Sequence, residues 1–382
     1  MVSTAAGSPI KVALDVTSLL GLRTGIAEAV HHLGWRLAAR SEVDLTGLSI
    51  SWRGGNPEAV MPPGTTVKSV KLPARLSHGC WRRFDRPRLS GFDVVHGPNY
   101  VVPPVNDAER LVTVHDLTAW RHPELVDFHS RYYPEQLSRA LAAGAHVHAV
   151  SHYVAAEIVD YLQVDPDRVH TVANGFTPGP SGDRAVGRSL IGAPYVLAIG
   201  TIEPRKDYPT LVEAMASVLE VHPDLRLAIV GADGWGLDAF RQAVRSFGVG
   251  DRIVRVGYVT DQQKADLLAG AELLAYPSMY EGFGFPVLEG MSVGVPVVTT
   301  TAGALPEVAG RAAVLVAPGD PTALAAALLT LIEDDGLRAS LAEAGRRRVA
   351  GFSWDRMVDE MVDLYSLLVG RSSPMALPRQ QV

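Results

Sequence analysis

Two doubly wound α/β units are what this sequence predicts, and three observations carry the expectation. Apolar strand-like runs alternate with helical patterns along almost the whole chain. The 382 residues amount to about two domains of ordinary size. Near the middle, the stretch NGFTPGPSGDRAVGRSLIGAP at 174–194 is dense in Gly, Pro and Ser, has little apolar periodicity, and reads as a linker. The first unit opens with the apolar run Val12–Leu20, then Ile26, Ala27, Val30, Leu33 and Leu37 at helical spacing behind Thr24 as an N-cap. The β-rich runs Val94–His96, Leu111–His115 and His146–Val150 follow, each leading into loop or helix. Beyond the linker come Tyr195–Gly200, Arg226–Gly231, Ile253–Gly257, Leu273–Tyr276, Pro296–Thr300 and Ala313–Ala317, with helical segments such as Thr210–Glu220 between them. Open parallel sheets hold ligands beyond the carboxyl ends of their strands. The chemistry is therefore expected in the loops that follow strands, with a ligand in a cleft between the two units.

Composition narrows the function. Apolar residues make up 47% and charged residues 20%, ordinary globular usage that excludes a disordered chain or a coiled coil. Cys80 is the only cysteine, so neither an internal disulfide nor a thiolate metal cluster can be built, and a reducing compartment is expected. No basic region precedes an apolar stretch at the N-terminus, and no run reaches the ~18 apolar residues that span a bilayer. A cytoplasmic protein is expected. The net charge of −6 divides unevenly: residues 1–190 carry 19 basic and 18 acidic groups, residues 191–382 carry 16 and 23. That balance disfavours nucleic acid, which needs a basic footprint. Any phosphate held by the acidic half must be met by local groups, and with only five lysines in the chain a Lys in a loop after a strand is informative.

Two segments carry the chemistry. In Tyr276–Thr300, a strand end leads into the loop Gly282-Phe283-Gly284, then a helix start marked by Pro286 and a stop at Gly294. Glycines let the backbone approach a ligand, and the N–H groups of a first helical turn favour an anion such as phosphate. Glu281 stands before that turn and Glu289 within the helix, so both carboxylates can reach one site and accept hydrogen bonds from vicinal sugar hydroxyls. The plainer reading is two solvated glutamates at a helix start. The second segment, GTIEPRKD at Gly200–Asp207, follows an apolar strand and offers Arg205 and Lys206, a fork and a point charge suited to a departing diphosphate. Its plainer reading is a surface basic pair.

Taken together these pieces resemble the retaining family-4 glycosyltransferases of the GT-B fold, in the mannosyltransferase-like branch, and the likeness runs in order from residue 10 to about residue 368. Glu281-Gly-Phe-Gly-Phe-Pro-Val-Leu-Glu289 is similar to the family's E-x7-E signature, GTIEPRK to its donor-phosphate loop, Thr24-Gly25-Ile26 to its N-terminal glycine loop, and Val114-His115-Asp116-Leu117 to its histidine motif. The resemblance implies a nucleotide-sugar donor on the C-terminal domain, a sugar or lipid-linked acceptor on the N-terminal one, and transfer with retained anomeric configuration. Arg205 and Lys206 would hold the diphosphate, Glu289 the ribose, Glu281 with the Gly282, Phe283 and Gly284 backbone the sugar, and His115 the sugar's far side. Gly25 would approach the donor phosphate, and Tyr258 and Val259 would cradle the base. The implied domains are 1–178 for the acceptor, 179–353 for the donor, and 354–382 as a helix returning to the first domain and a tail. Many members carry an arginine just after the phosphate-loop glycine; Thr201 stands there, leaving more to Arg205 and Lys206.

No cofactor is implied, and no metal: no D-x-D ends an apolar strand, and Asp165-Pro166-Asp167 reads as a turn. His115 and Asp116, adjacent on a strand, point to opposite faces and make a poor base–orienter pair. The segment RLSHGCWRRFDRPRL, with Arg82, Arg83, Arg86 and Arg88 around Trp81 and Phe84, reads as a solvated basic face or as a peripheral contact with anionic lipid. The expected donor is GDP-mannose, with UDP- or dTDP-sugars as alternatives and polysaccharide assembly as the setting. Two other classes stay open: a GT-B scaffold that binds without turnover, and a dehydrogenase, which the lack of G-x-G-x-x-G after the first strand disfavours.

Overall fold

The computed structural model describes residues 8–21, 25–51, 56–70, 79–81, 84, 86–128 and 130–371. Thr24, Arg82 and Arg83 lie outside them. The described chain divides into two compact units. The first takes the residues up to Trp120, those from 130 to Gly175, and those from Ser353 onward; the second takes Arg121–Phe128 and Phe176–Phe352.

Among the described residues the first unit holds seven strands: β1 (Ile10–Asp15), β2 (Val43–Ile50), β3 (Thr66–Val70), β4 (Val94–Gly97), β5 (Glu109–Val114), β6 (His146–Ala149) and β7 (Val169–Thr171). They form one parallel sheet in the order β3-β2-β1-β4-β5-β6-β7, with Val12 of β1 in register with Leu45 of β2 and Val94 of β4. Sequence reading found β1, β4, β5 and β6. It passed over β2 because Asp44, Thr46, Gly47 and Ser49 interrupt its apolar character, although all but Asp44 of this strand is buried between its neighbours. β3 is a largely exposed edge strand carrying Lys68, the kind of residue that blunts an edge.

The second unit's strands are β8 (Tyr195–Ile199), β9 (Arg226–Val230), β10 (Ile253–Gly257), β11 (Leu273–Tyr276), β12 (Val297–Thr300) and β13 (Val314–Val316), parallel in the order β10-β9-β8-β11-β12-β13. These are the six runs expected from the sequence; the inner ones are largely buried, while the edge strand β10 is half-exposed and carries Arg255. Val196, Leu227, Leu273 and Val298 pack with helix residues such as Leu211, Met215 and Leu328 in one buried core.

The 174–194 stretch is more ordered than a linker. It contains the helix Arg184–Ile191, capped by Asp183, whose carboxylate accepts from Ala185 N at 2.7 Å, and stopped by left-handed Gly192. Its packing needs no apolar stripe: a Cβ on Gly187 would lie 1.9 Å from the Asp266 carbonyl oxygen, so the backbones of this helix and of Asp261–Gly270 touch through glycine. The change of unit falls at Gly175, three residues before the position read from the sequence. A Cβ there would stand 2.3 Å from Trp354 N, which presses Gly175 against the start of the C-terminal helix. That helix, Trp354–Leu368, returns to the first unit and buries Met357, Met361, Leu364 and Tyr365; Leu368 is only half-buried. Among the described residues no helix is long and apolar enough to cross a membrane.

Candidate functional site

In each sheet the strand order reverses direction once, between β1 and β4 and between β8 and β11. At such a switch point adjacent connections diverge and leave a crevice. The second unit's charged residues gather there, because the loop after β8 carries Arg205 and Lys206 and the loop after β11 carries Glu281.

Local backbone makes this possible. Gly200 adopts φ +142° as the chain leaves β8, and a Cβ on Gly231 would come 2.1 Å from the Gly200 carbonyl oxygen. Pro204–Lys206 forms one tight turn, and Asp207, left-handed at φ +49°, caps the helix Tyr208–Val221. On the other loop, Ala304 N donates to the Glu281 carbonyl at 2.8 Å, and Gly303 leaves room that a Cβ would close, at 2.1 Å from the same oxygen.

The result is a buried polar cluster. Arg205 Nη1 lies 2.6 Å from Glu281 Oε2, and Lys206 Nζ 2.5 Å from Glu281 Oε1. Tyr276, the last residue of β11, donates its hydroxyl to Glu281 Oε1 at 2.8 Å and accepts from Lys206. Arg205 also binds Glu203 at 2.8 Å and the Tyr280 carbonyl at 3.0 Å. Burial alone would raise the Glu281 carboxyl, but Arg205, Lys206 and the hydrogen bonds from Lys206 and Tyr276 outweigh it and hold it down to about 2. Burial, reinforced by Glu281, pushes the Tyr276 phenol well above its usual range and keeps it a donor.

Gly282, Phe283 and Gly284 follow directly and lead into the helix Phe285–Ser292. Gly284 takes φ +112°, and a Cβ there would meet Leu305 at 2.7 Å. Phe283 is buried against Phe285 and Phe352, with ring centroids 5.0 and 5.7 Å away. Glu289 lies within this helix and is paired at 2.7 Å with Lys264. Lys264 belongs to the helix Asp261–Gly270, which follows exposed Tyr258 and half-buried Val259. The two carboxylates therefore have different partners, Glu281 the basic pair and Glu289 a lysine of the neighbouring helix.

His115 and Gly25 belong to the first unit. His115 leaves β5 with its Nε2 donating to the Pro98 carbonyl at 2.8 Å, and burial lowers its pKa, so the ring is neutral with Nδ1 an acceptor. Asp116 does not pair with it; its carboxylate accepts from Thr118 N at 2.9 Å, at the start of the next short helix. Gly25 begins the helix Gly25–Leu37. Arg86 and Arg88 are exposed. Trp81 is not part of an aromatic–basic surface: it is buried with Ile50 and Val101. Sequence reasoning missed Tyr276 and Lys264. A tyrosine ending an apolar strand and one of five lysines were the available signals.

Comparisons with known proteins agree with this architecture. The family described as Glycosyltransferase Family 4 matches residues 23–179, and the one described as Glycosyl transferases group 1 matches residues 184–348. The O-antigen chain mannosyltransferase B of Escherichia coli is 33% identical over 289 residues, covering 72% of this chain and 74% of that one. A D-inositol 3-phosphate glycosyltransferase of Streptomyces scabiei is 27% identical over 90% of this chain and 86% of its own. In fold, the sucrose-phosphate synthase of Thermosynechococcus elongatus superposes with a TM-score of 0.75 at 22% identity, covering 95% of this chain and 100% of that one. Two parallel Rossmann-like units together with these family matches define a GT-B glycosyltransferase. Within that class the chain belongs to glycosyltransferase family 4.

Proposed function

We propose that this glycosyltransferase moves mannose from GDP-mannose to a sugar or lipid-linked acceptor, retains the anomeric configuration, and needs no metal. The observation that carries the reading is the cluster of Arg205, Lys206, Tyr276 and Glu281 at the switch point of the second sheet. Two cations held in place by a carboxylate are preorganised for a diphosphate, whose negative charge grows as the sugar–phosphate bond breaks. In this reading the diphosphate takes over Arg205 and Lys206, and Glu281 with the Gly282–Gly284 backbone turns to the sugar. Glu289 holds the ribose, Tyr258 and Val259 the base, His115 the sugar's far side, and Gly25 the donor phosphate. The leaving phosphate accepts the acceptor's proton on the face it departs from, which gives retention. The identity to a mannosyltransferase supports mannose as the sugar and polysaccharide assembly as the setting. We place the reaction in the cytoplasm, with Arg86 and Arg88 available for peripheral contact with anionic lipid.

Calorimetry with GDP-mannose, UDP-glucose and dTDP-glucose tests the donor. Preferential binding of GDP-mannose, with mannose released or transferred on incubation, is expected. Tighter binding of a UDP- or dTDP-sugar would replace the donor, and binding without any turnover would make the protein a scaffold.

A further inference from the structure

The switch point of the first sheet holds a second built pocket, and its chemistry differs from the cationic cluster above. β1 ends at Asp15 and β4 at Gly97, neighbouring strands whose connections leave in opposite directions. Between the segments that follow them lies a pocket of about 170 Å³ whose lining includes Asp15, Ser18, Asn99, Ile50, Pro98 and Tyr132.

The polar groups there are held in place but incompletely used. Thr17 donates its backbone N–H at 2.9 Å and its hydroxyl at 2.5 Å to Asp15 Oδ1, and its own oxygen accepts from Ile50 N at 3.0 Å. This ties the end of β1 to the end of β2 and fixes the Asp15 carboxylate at the pocket wall. Asn99 donates from Nδ2 to the Tyr133 hydroxyl at 3.3 Å, while its Oδ1 is buried and unpartnered among the described residues. The Ser18 hydroxyl oxygen is likewise buried and unpartnered among them. Buried polar atoms in native folds are normally satisfied, so two such atoms around one cavity call for a polar occupant.

We propose that this pocket is a subsite for one uncharged sugar ring of the acceptor. The inference rests on the reading that the first unit receives the acceptor. Asn99 Oδ1 is an acceptor only, the Asp15 carboxylate on the same wall also accepts, and Ser18 offers a hydroxyl, so the complementary ligand is rich in O–H donors, as a sugar is. A phosphate dianion has no hydrogen to donate and would face the Asp15 carboxylate. An anionic acceptor group of the inositol phosphate kind is therefore a poor match. Ile50, Pro98 and Tyr132 provide the apolar contact that the C–H face of a pyranose needs. The volume suits one ring rather than an oligosaccharide.

The test is ligand-observed NMR on the full chain with two probes, methyl α-D-mannopyranoside and D-myo-inositol 3-phosphate, alongside calorimetry with GDP. The mannoside should bind and should not be displaced by the inositol phosphate. Ser18→Ala and Asn99→Ala should each weaken it about fivefold, the scale of one lost hydrogen bond, with GDP affinity and melting temperature unchanged. Absence of mannoside binding, equal binding in both variants, or displacement by inositol phosphate overturns the proposal. A parallel loss of GDP affinity in the variants assigns the pocket to the donor and overturns it as well. Should Asn99→Ala not fold, Ser18→Ala decides, since the Ser18 hydroxyl holds no bond to the described chain. Failure of the wild type to bind GDP-mannose would instead overturn the donor reading and leave the mannoside result standing.

Discussion

Lys206 Nζ lies 2.5 Å from Oε1 of Glu281 while the carboxylate's other oxygen holds Arg205 at 2.6 Å, so one buried anion anchors both cations of the loop after β8. The carboxyl is held down to about 2 from its usual 4.5. Its ionised form therefore stabilises the fold fully above the ordinary carboxylate range, by about 3 kcal/mol, and that contribution is lost as pH falls from 4.5 towards 2. Urea titrations at pH 7, 4 and 2 should show this loss in the wild type and a flatter profile in Glu281→Gln. Identical profiles would mean the pair does not persist in solution.

In the proposed reaction, replacing either cation removes charge stabilisation from the departing diphosphate. Arg205→Ala and Lys206→Ala should each lower kcat by about a hundredfold, roughly 3 kcal/mol, the usual scale for one preorganised donor. Tyr276→Phe keeps both cations but removes the hydroxyl between Lys206 and Glu281, so a smaller loss in kcat is expected. Unchanged turnover in both cation variants would remove the phosphate site from this loop.

Glu289 and Glu281 should fail differently. A charge-assisted bond to ribose acts in ground and transition states alike, so Glu289→Ala should weaken GDP binding by roughly 1.5–3 kcal/mol, while Glu281→Ala acts mainly on turnover. Calorimetry with GDP and steady-state kinetics separate the two, and equal losses of GDP affinity would show the roles to be misassigned.

How far this was legible in the sequence depended on where the information sits. The strands of the second sheet are mostly apolar runs set off by glycine or proline, so all six could be read even with Arg255 inside β10, whereas β2 is buried by its neighbours and carries polar residues that mimic a loop. The loops after β8 and β11 were readable because Gly, Pro and charge punctuate strand ends. Tyr276 and Lys264 were not, since what distinguishes them is a partner 5 or 25 residues away along the chain, set by the fold and not by local pattern. The helix Arg184–Ile191 hid behind glycines that sequence pattern assigns to loops but that here allow backbone contact.

In the proposed reaction the basic pair and the helix start at Phe285 meet the phosphate charge and make a divalent cation redundant. Transfer should survive excess EDTA, and NMR of the product should show an α-linkage from an α-linked donor. Activity lost in EDTA and restored by magnesium or manganese would refute the metal-free site, and a β-linked product would refute retention.

A chain of side-chain hydrogen bonds ties the C-terminal helix to the first sheet. Tyr365 of that helix donates to His96 Nδ1 at 2.8 Å, and His96 Nε2 donates to the Thr113 hydroxyl at 2.7 Å. Thr113 in turn donates to His148 Nδ1 at 3.0 Å, and His148 Nε2 donates to the Val172 carbonyl at 2.8 Å. This is the proton order in which every member is satisfied with both rings neutral, and it joins β4, β5 and β6 to the helix. Burial holds His148 down to about 4 from 6.5, and the Val172 bond does not offset it. As pH falls below 6.5 the unfolded chain takes up the proton first, so stability present at neutral pH is lost progressively down to about 4, by about 1.4 kcal/mol per unit. His148→Gln can keep both hydrogen bonds and does not titrate, so its melts at pH 7, 6, 5 and 4 should fall less steeply than the wild type's. Tyr365→Phe leaves His96 Nδ1 buried without its donor and should cost about 1–3 kcal/mol at pH 7. A Tyr365→Phe protein as stable as the wild type, or an unchanged acid slope in His148→Gln, would show that this chain of bonds does not hold the helix to the sheet.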